Sequence, residues 1–181
     1  PHAFSGSIVL ENVVLGNEDV EYAVYAINDI TIKDCGVVSA KQGEKPYYDY
    51  YMYSALYSSN GDITIDNVDE LSVNSAHVGI YASNGVEYES LSLNEEVTKG
   101  NIVISNVREM NITSEIIGVY AKGNITFEDV FGSITALDTE DGCAVLTYGG
   151  AISVTNEKRF AVESGATKDN ADRLTLENNV V

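Results

Sequence analysis

The chain has 181 residues, with 28 acidic and 10 basic side chains giving a formal charge of -18, and 44% of its residues are apolar. That charge repels nucleic acid and anionic membrane surfaces and leaves cations or neutral glycans as partners, while length and apolar content suit one domain with a filled core. No apolar run approaches the roughly 18 to 20 residues that a membrane span needs, so direct membrane insertion is not expected.

The opening PHAFSG (1–6) is long enough only for a lid formed by Phe4 over the coil that starts at Ile8. Because the chain begins with Pro1 rather than Met, it reads as a processed or excised piece, and the lack of a signal peptide carries little weight. From Ile8 onward one pattern recurs: an apolar residue, a variable one, a second apolar residue, one more position, then Asn or Asp. Its seven copies are IVLEN (8–12), ITIKD (30–34), ITIDN (63–67), IVISN (102–106), ITFED (125–129), ISVTN (152–156) and LTLEN (174–178). Spacings of about 22 to 39 residues between copies are those of units that stack on one another.

Segment 61–83 lies over 100–122 without a gap. Each unit holds three extended pieces, 63–65, 71–73 and 78–82 in the first of the two, alternating in period two as strands with one buried face do. A unit this small cannot bury its apolar residues alone, but stacking at about 4.8 Å per rung makes one continuous core column. The expectation is an all-β parallel β-helix, or β-solenoid, with three strands per coil and six to seven coils, about 30 Å tall. It forms one domain over 1–181, with insertions at about 40–53 and 84–99.

The fifth position of the repeat, Asn12, Asp34, Asn67, Asn106, Asp129, Asn156 and Asn178, should stack at one bend. There a short polar side chain satisfies a backbone group that a sharp turn leaves unpaired, so the ladder is structural. Cys35 and Cys143 fall three coil spacings apart, at least about 14 Å, too far for a disulfide, and both are expected as thiols, Cys143 as an inward apolar filler. No Cys/His spacing fits zinc, and no metal or cofactor is expected. Loops such as DTEDG (138–142) offer calcium a place without the nonapeptide or EF-hand pattern that would make it essential.

With three strands per coil, Asn at the bend after the second strand and variable loops elsewhere, the chain from Ser7 to Val181 resembles the right-handed parallel β-helix proteins of the pectate-lyase-like superfamily. The resemblance implies that ITIDN belongs to the second sheet, LSV to the third and VGIYA to the first. It also implies that a catalytic member would work on the outer face of the first sheet, with acidic residues or calcium beside a basic residue. The first-sheet segments AVYA, ALYS, GIYA, GVYA and AVLT carry no Arg or Lys at outward positions, which weakens a lyase reading, since that chemistry needs a base and positive charge at the developing enolate. For a hydrolase, Glu21, Asp49, Glu87, Glu89, Glu115 and Asp141 border the same sheet, but no spacing singles out a pair.

If Val24, Leu56, Ile80, Val119 and Val145 point inward, then Tyr25, Tyr57, Tyr81, Tyr120 and Leu146 point outward in one line. By the same alternation Ala23, Ala55, Gly79, Gly118 and Ala144 lie outward beside them. Insertion 40–53 is rich in Tyr, including Tyr47, Tyr48, Tyr50, Tyr51 and Tyr53, and rises on one side of the line, with 84–99 on the other. The sequence therefore predicts a ligand-binding groove of Tyr25, Tyr57, Tyr81 and Tyr120, centred on Tyr81 and Tyr120 and closed on one side by Tyr47 and Tyr50. The competing outcome is that the rings stack and are covered, serving the sheet alone.

The functional expectation is a noncatalytic module of a bacterial or archaeal cell surface or exterior, adhesin-like or glycan-binding, with a polysaccharide or other surface polymer as partner. A polysaccharide-degrading β-helix enzyme and a purely structural repeat segment are the alternatives. LTLENNVV (174–181) stops in mid-coil, so an end-to-end contact or a continuing parent chain is expected there.

Overall fold

The computed structural model describes residues 2–3, 6–11, 22–43, 53–85, 99–155 and 159–165. Asn12, Asn156 and Asn178 of the ladder, Tyr47 and Tyr50, most of both insertions and the seventh copy of the repeat lie outside the described residues. In chain order the strands are β1 (His2–Ala3), β2 (Ile8–Glu11), β3 (Val24–Ala26), β4 (Ile30–Gln42), β5 (Ser54–Ser58), β6 (Ile63–Ser75) and β7 (Val78–Ala82). They continue with β8 (Ile102–Ser114), β9 (Ile117–Ala121), β10 (Ile125–Ala136), β11 (Cys143–Thr147), β12 (Ile152–Thr155) and β13 (Arg159–Ser164).

Short and long strands alternate, and they sort into two parallel sheets. One runs β1-β3-β5-β7-β9-β11; the other runs β12-β10-β8-β6-β4-β2, with β13 also paired to β10. The chain therefore winds between the sheets once per rung, which is the all-β, parallel, solenoid-like arrangement the repeat requires. Its register is carried by one residue type: Ile8, Ile30, Ile63, Ile102, Ile125 and Ile152 align strand on strand. From β4 to β10 these isoleucines are fully buried, as are Ile32, Ile65, Ile104 and Phe127 two positions on. β-branched residues dominate because each meets an identical neighbour above and below on a pleated surface.

The second and third pieces expected in each unit run as one strand of 12 or 13 residues. What bends it is the fifth position of the repeat. Asp34, Asn67, Asn106 and Asp129 all have φ between 52° and 54°, the left-handed conformation that Asn and Asp tolerate best among residues with a side chain. One such residue turns the chain while both flanks keep pairing. It also resets the inward face, so that after Ile32 the next buried positions are Cys35 and Val38. Cys35 thereby joins an interior column with Val68, Val107 and Val130.

The side chains of Asp34, Asn67, Asn106 and Asp129 do not serve buried backbone groups as the sequence suggests, because they are exposed on the outside of the bend. Asn67 Nδ2 donates to Asp34 Oδ1 at 2.7 Å, and Asn106 Nδ2 donates to Asp66 Oδ1 at 2.8 Å. The bond from Asn106, with a second from Ser105, holds the Asp66 carboxyl below its ordinary pKa. A second ladder, not singled out from the sequence, occupies the residue just before each long strand. Asp29 Oδ1 accepts from Asp62 N, Asp62 Oδ1 from Asn101 N, Asn101 Oδ1 from Asn124 N and Asn124 Oδ1 from Ala151 N, at 2.8 or 2.9 Å. These are backbone donors at the turn into the long strands, and they supply the satisfaction expected of the other ladder.

At β10 the repeat is one residue short, and pairing with β8 shifts between Val130 and Gly132. Gly132, at φ 148°, leaves no room for a Cβ against the Met110 carbonyl, and its missing side chain is offset by Phe160 of the next rung, whose ring lies 4.8 Å from that of Phe127.

Candidate functional site: the tyrosine flank

The first sheet places Tyr25, Tyr57, Tyr81, Tyr120 and Leu146 in one register line, on the side away from Val24, Leu56, Ile80, Val119 and Val145, which belong to the main core. Ring centroids are 5.5 Å apart for Tyr25 and Tyr57, 5.0 Å for Tyr57 and Tyr81, and 4.7 Å for Tyr81 and Tyr120. Interplanar angles fall along the line from 45° to 15° to 7°. The stack is a consequence of rung spacing, since identical side chains on successive parallel strands meet at about 4.8 Å.

Exposure falls in the same direction. Tyr25 and Tyr57 are half-buried, Tyr81 is 8% exposed and Tyr120 is 0% exposed. The expected centre of the groove is therefore covered: Tyr81 and Tyr120 form a second, smaller core with Val78 and Ile117, against which Ile116, Leu146 and Tyr57 pack. Lys122, just beyond β9, adds to this closure. It is 2% exposed, with Nζ 4.5 Å from the Tyr148 ring centroid and 5.5 Å from that of Tyr120, and burial lowers its pKa.

The strip of tiny residues is also corrected. Ala55 and Ala144 belong to the main core, Ala23 packs on it, and a Cβ on Gly79 would meet Ile112 Cγ2 at 2.9 Å and the Gly118 carbonyl oxygen at 2.5 Å. Two consecutive positions face inward, so strict period two fails here and the glycines serve close packing of rungs rather than the approach of a polymer. Val78 and Ile117 take the tyrosine side instead. Cys143, in register with Ile117, is buried on that side too, not in the main core.

At the open end of the line the rings multiply. Tyr22 lies 5.3 Å from Tyr57 at an angle of 24°, 5.4 Å from Tyr25 and 6.1 Å from Tyr53. All four rings are half-buried. Burial first, then Tyr81, Tyr22 and Tyr25 nearby, push the Tyr57 hydroxyl well above the ordinary tyrosine range, so it stays neutral and a hydrogen-bond donor. Tyr53 in turn lies 5.6 Å from His77, a buried residue whose pKa burial lowers. Tyr22 was not singled out in the sequence, because it precedes its strand and no period reaches it.

A cavity of about 600 Å³ lies beside the covered end of the line, where the long strands turn into the first sheet. Ile116, Ile117, Leu146 and Cys143 give it an apolar side; Glu115, Asp138, Asp141 and His77 line the rest. Among the described residues, no three of His, Cys, Asp or Glu come together as a metal-ligand set.

No family model, curated protein or solved structure matches the chain.

Proposed function

We propose that this chain is a noncatalytic extracellular or cell-surface module that binds a neutral glycan on the half-buried tyrosines at the N-terminal end of the stack. The observation that carries the reading is the cluster of Tyr22, Tyr25, Tyr53 and Tyr57, four rings within 5.3 to 6.1 Å of a neighbour and all partly open to solvent. Sugar rings stack through their CH faces on such surfaces, and neutral tyrosine hydroxyls give direction without charge. A net charge of -18 opposes a polyuronate and leaves neutral or cationic polymers favoured. The parallel rungs, and the bend that splits each long strand in two, support counting three faces per coil, and the general right-handedness of parallel crossovers favours a right-handed helix.

Calorimetry against neutral, cationic and acidic oligosaccharides tests the reading, on the wild type and on a folded Tyr25→Leu/Tyr57→Leu variant. Binding of a neutral glycan that the variant loses is the expected result; equal binding by both proteins overturns it. A second reading, a purely structural surface segment, is supported by the burial of Tyr81 and Tyr120, and predicts no binding to any of the three classes.

A further inference from the structure

The turns that join the long strands to the first sheet are two residues long in successive rungs, Ala76 and His77 after β6, then Glu115 and Ile116 after β8. Their backbones stack, with Ile116 N and Ile117 N donating to the His77 carbonyl at 3.1 and 3.0 Å. After β10 the turn lengthens to six residues, 137–142. The extra residues close on themselves: Asp138 Oδ1 accepts from Glu140 N and Asp141 N, both at 2.7 Å, and Gly142 N donates to the Asp138 carbonyl at 3.0 Å. A self-supported turn next to shorter ones leaves a recess, and that recess is the cavity of about 600 Å³. Its volume lies within the range of small-molecule sites, about 300 to 1,000 Å³.

Two features of the recess define what fits it. Glu115 and Asp141 are exposed at its rim, while one Oδ of Asp138 is engaged by the turn. The recess is also lined by Ile116, Ile117 and Leu146, which pack with Tyr81 and Tyr120 and give it an apolar wall. Carboxylates at the rim and an aliphatic wall inside match a cation carried on a hydrocarbon stem. They do not match a bare divalent ion, which needs several oxygen ligands converging on one point.

We propose that this recess is a binding site for a primary alkylammonium group, held by Glu115 and Asp141 at its charged end and by Ile116, Ile117 and Leu146 along its methylenes. The site is separate from the tyrosine cluster and stands or falls independently of glycan binding.

The test uses two probes, 1,5-diaminopentane and a lysine blocked at both backbone ends, titrated calorimetrically at about 0.15 M salt to suppress diffuse attraction to an acidic surface. Glu115→Gln/Asp141→Asn changes two exposed residues and is expected to fold. Glu70→Gln/Glu109→Gln removes the same charge from exposed, paired positions on β6 and β8 and serves as the control. Binding of either probe that weakens at least tenfold in the first variant and holds in the control supports the site; which probe binds tells a free polyamine from a protein lysine. Equal weakening in both variants, or no binding of either probe at millimolar concentration, overturns it.

Discussion

Tyr81 and Tyr120 stand one rung apart with ring planes 7° from parallel, and the ring beyond them on the C-terminal side is replaced by Leu146. Tyr120 is thus a core residue on the outer side of the first sheet, sealed by Ile116, Ile117 and Leu146. Truncating it opens a cavity, whereas truncating Tyr25, half-buried at the other end, mostly removes surface. Tyr120→Ala should cost about 3 to 5 kcal/mol, and Tyr25→Ala about 1 kcal/mol. Urea unfolding of both variants measures the difference, and equal losses would contradict the burial gradient.

The bend residues make a sharper prediction. Asn67 sits at φ 53° with its side chain exposed, so what matters is the backbone conformation and one bond to Asp34. Asn67→Gly should change stability by only a few tenths of a kcal/mol, since glycine adopts that conformation without steric cost. Asn67→Ala should cost about 1 kcal/mol. If glycine were as damaging as alanine, the amide would matter through a buried bond after all.

These two ladders show what the sequence could and could not reveal. The Ile-x-Ile spacing and the bend residue are local and recur in every copy, so the rungs, the parallel register and the site of the bend were all legible. The Asx residues at 29, 62, 101 and 124 were equally periodic, but their partners are backbone groups one rung away, and a glycine beside three of them offered a simpler turn explanation. The orientation of the small residues was not legible, because Ala55 and Gly79 obey period two in the sequence and break it only when the neighbouring rung presses on them. Nor could periodicity say that Tyr120 is covered. Its lid comes from Ile116 in the turn, from Ile117 at the start of β9, and from Lys122 just beyond that strand.

Lys122 carries a pH signature. Burial lowers its pKa below 10.5, so between the folded value and 10.5 the unfolded chain holds the proton more tightly. Stability from this group therefore rises as pH increases through that window. Lys122→Met removes the titration and replaces a buried ammonium by an apolar chain of similar length, so the variant should match or exceed the wild type at pH 7. Urea midpoints at rising alkaline pH should then move in favour of the wild type relative to the variant. Ionisation of the tyrosines remote from Lys122 is common to both proteins and drops out of the comparison. A difference that stays flat, or widens against the wild type, would contradict burial of Lys122.

Glycan contact on the open tyrosines, and not on the buried pair, is the central claim. Resonances of labelled tyrosine rings, tracked by NMR during titration with neutral oligosaccharides, test this ring by ring. Shifts concentrated on Tyr22, Tyr25, Tyr53 and Tyr57, with Tyr120 unmoved, are the predicted result. Shifts centred on Tyr81 and Tyr120, or none on any ring at saturating ligand, would contradict it.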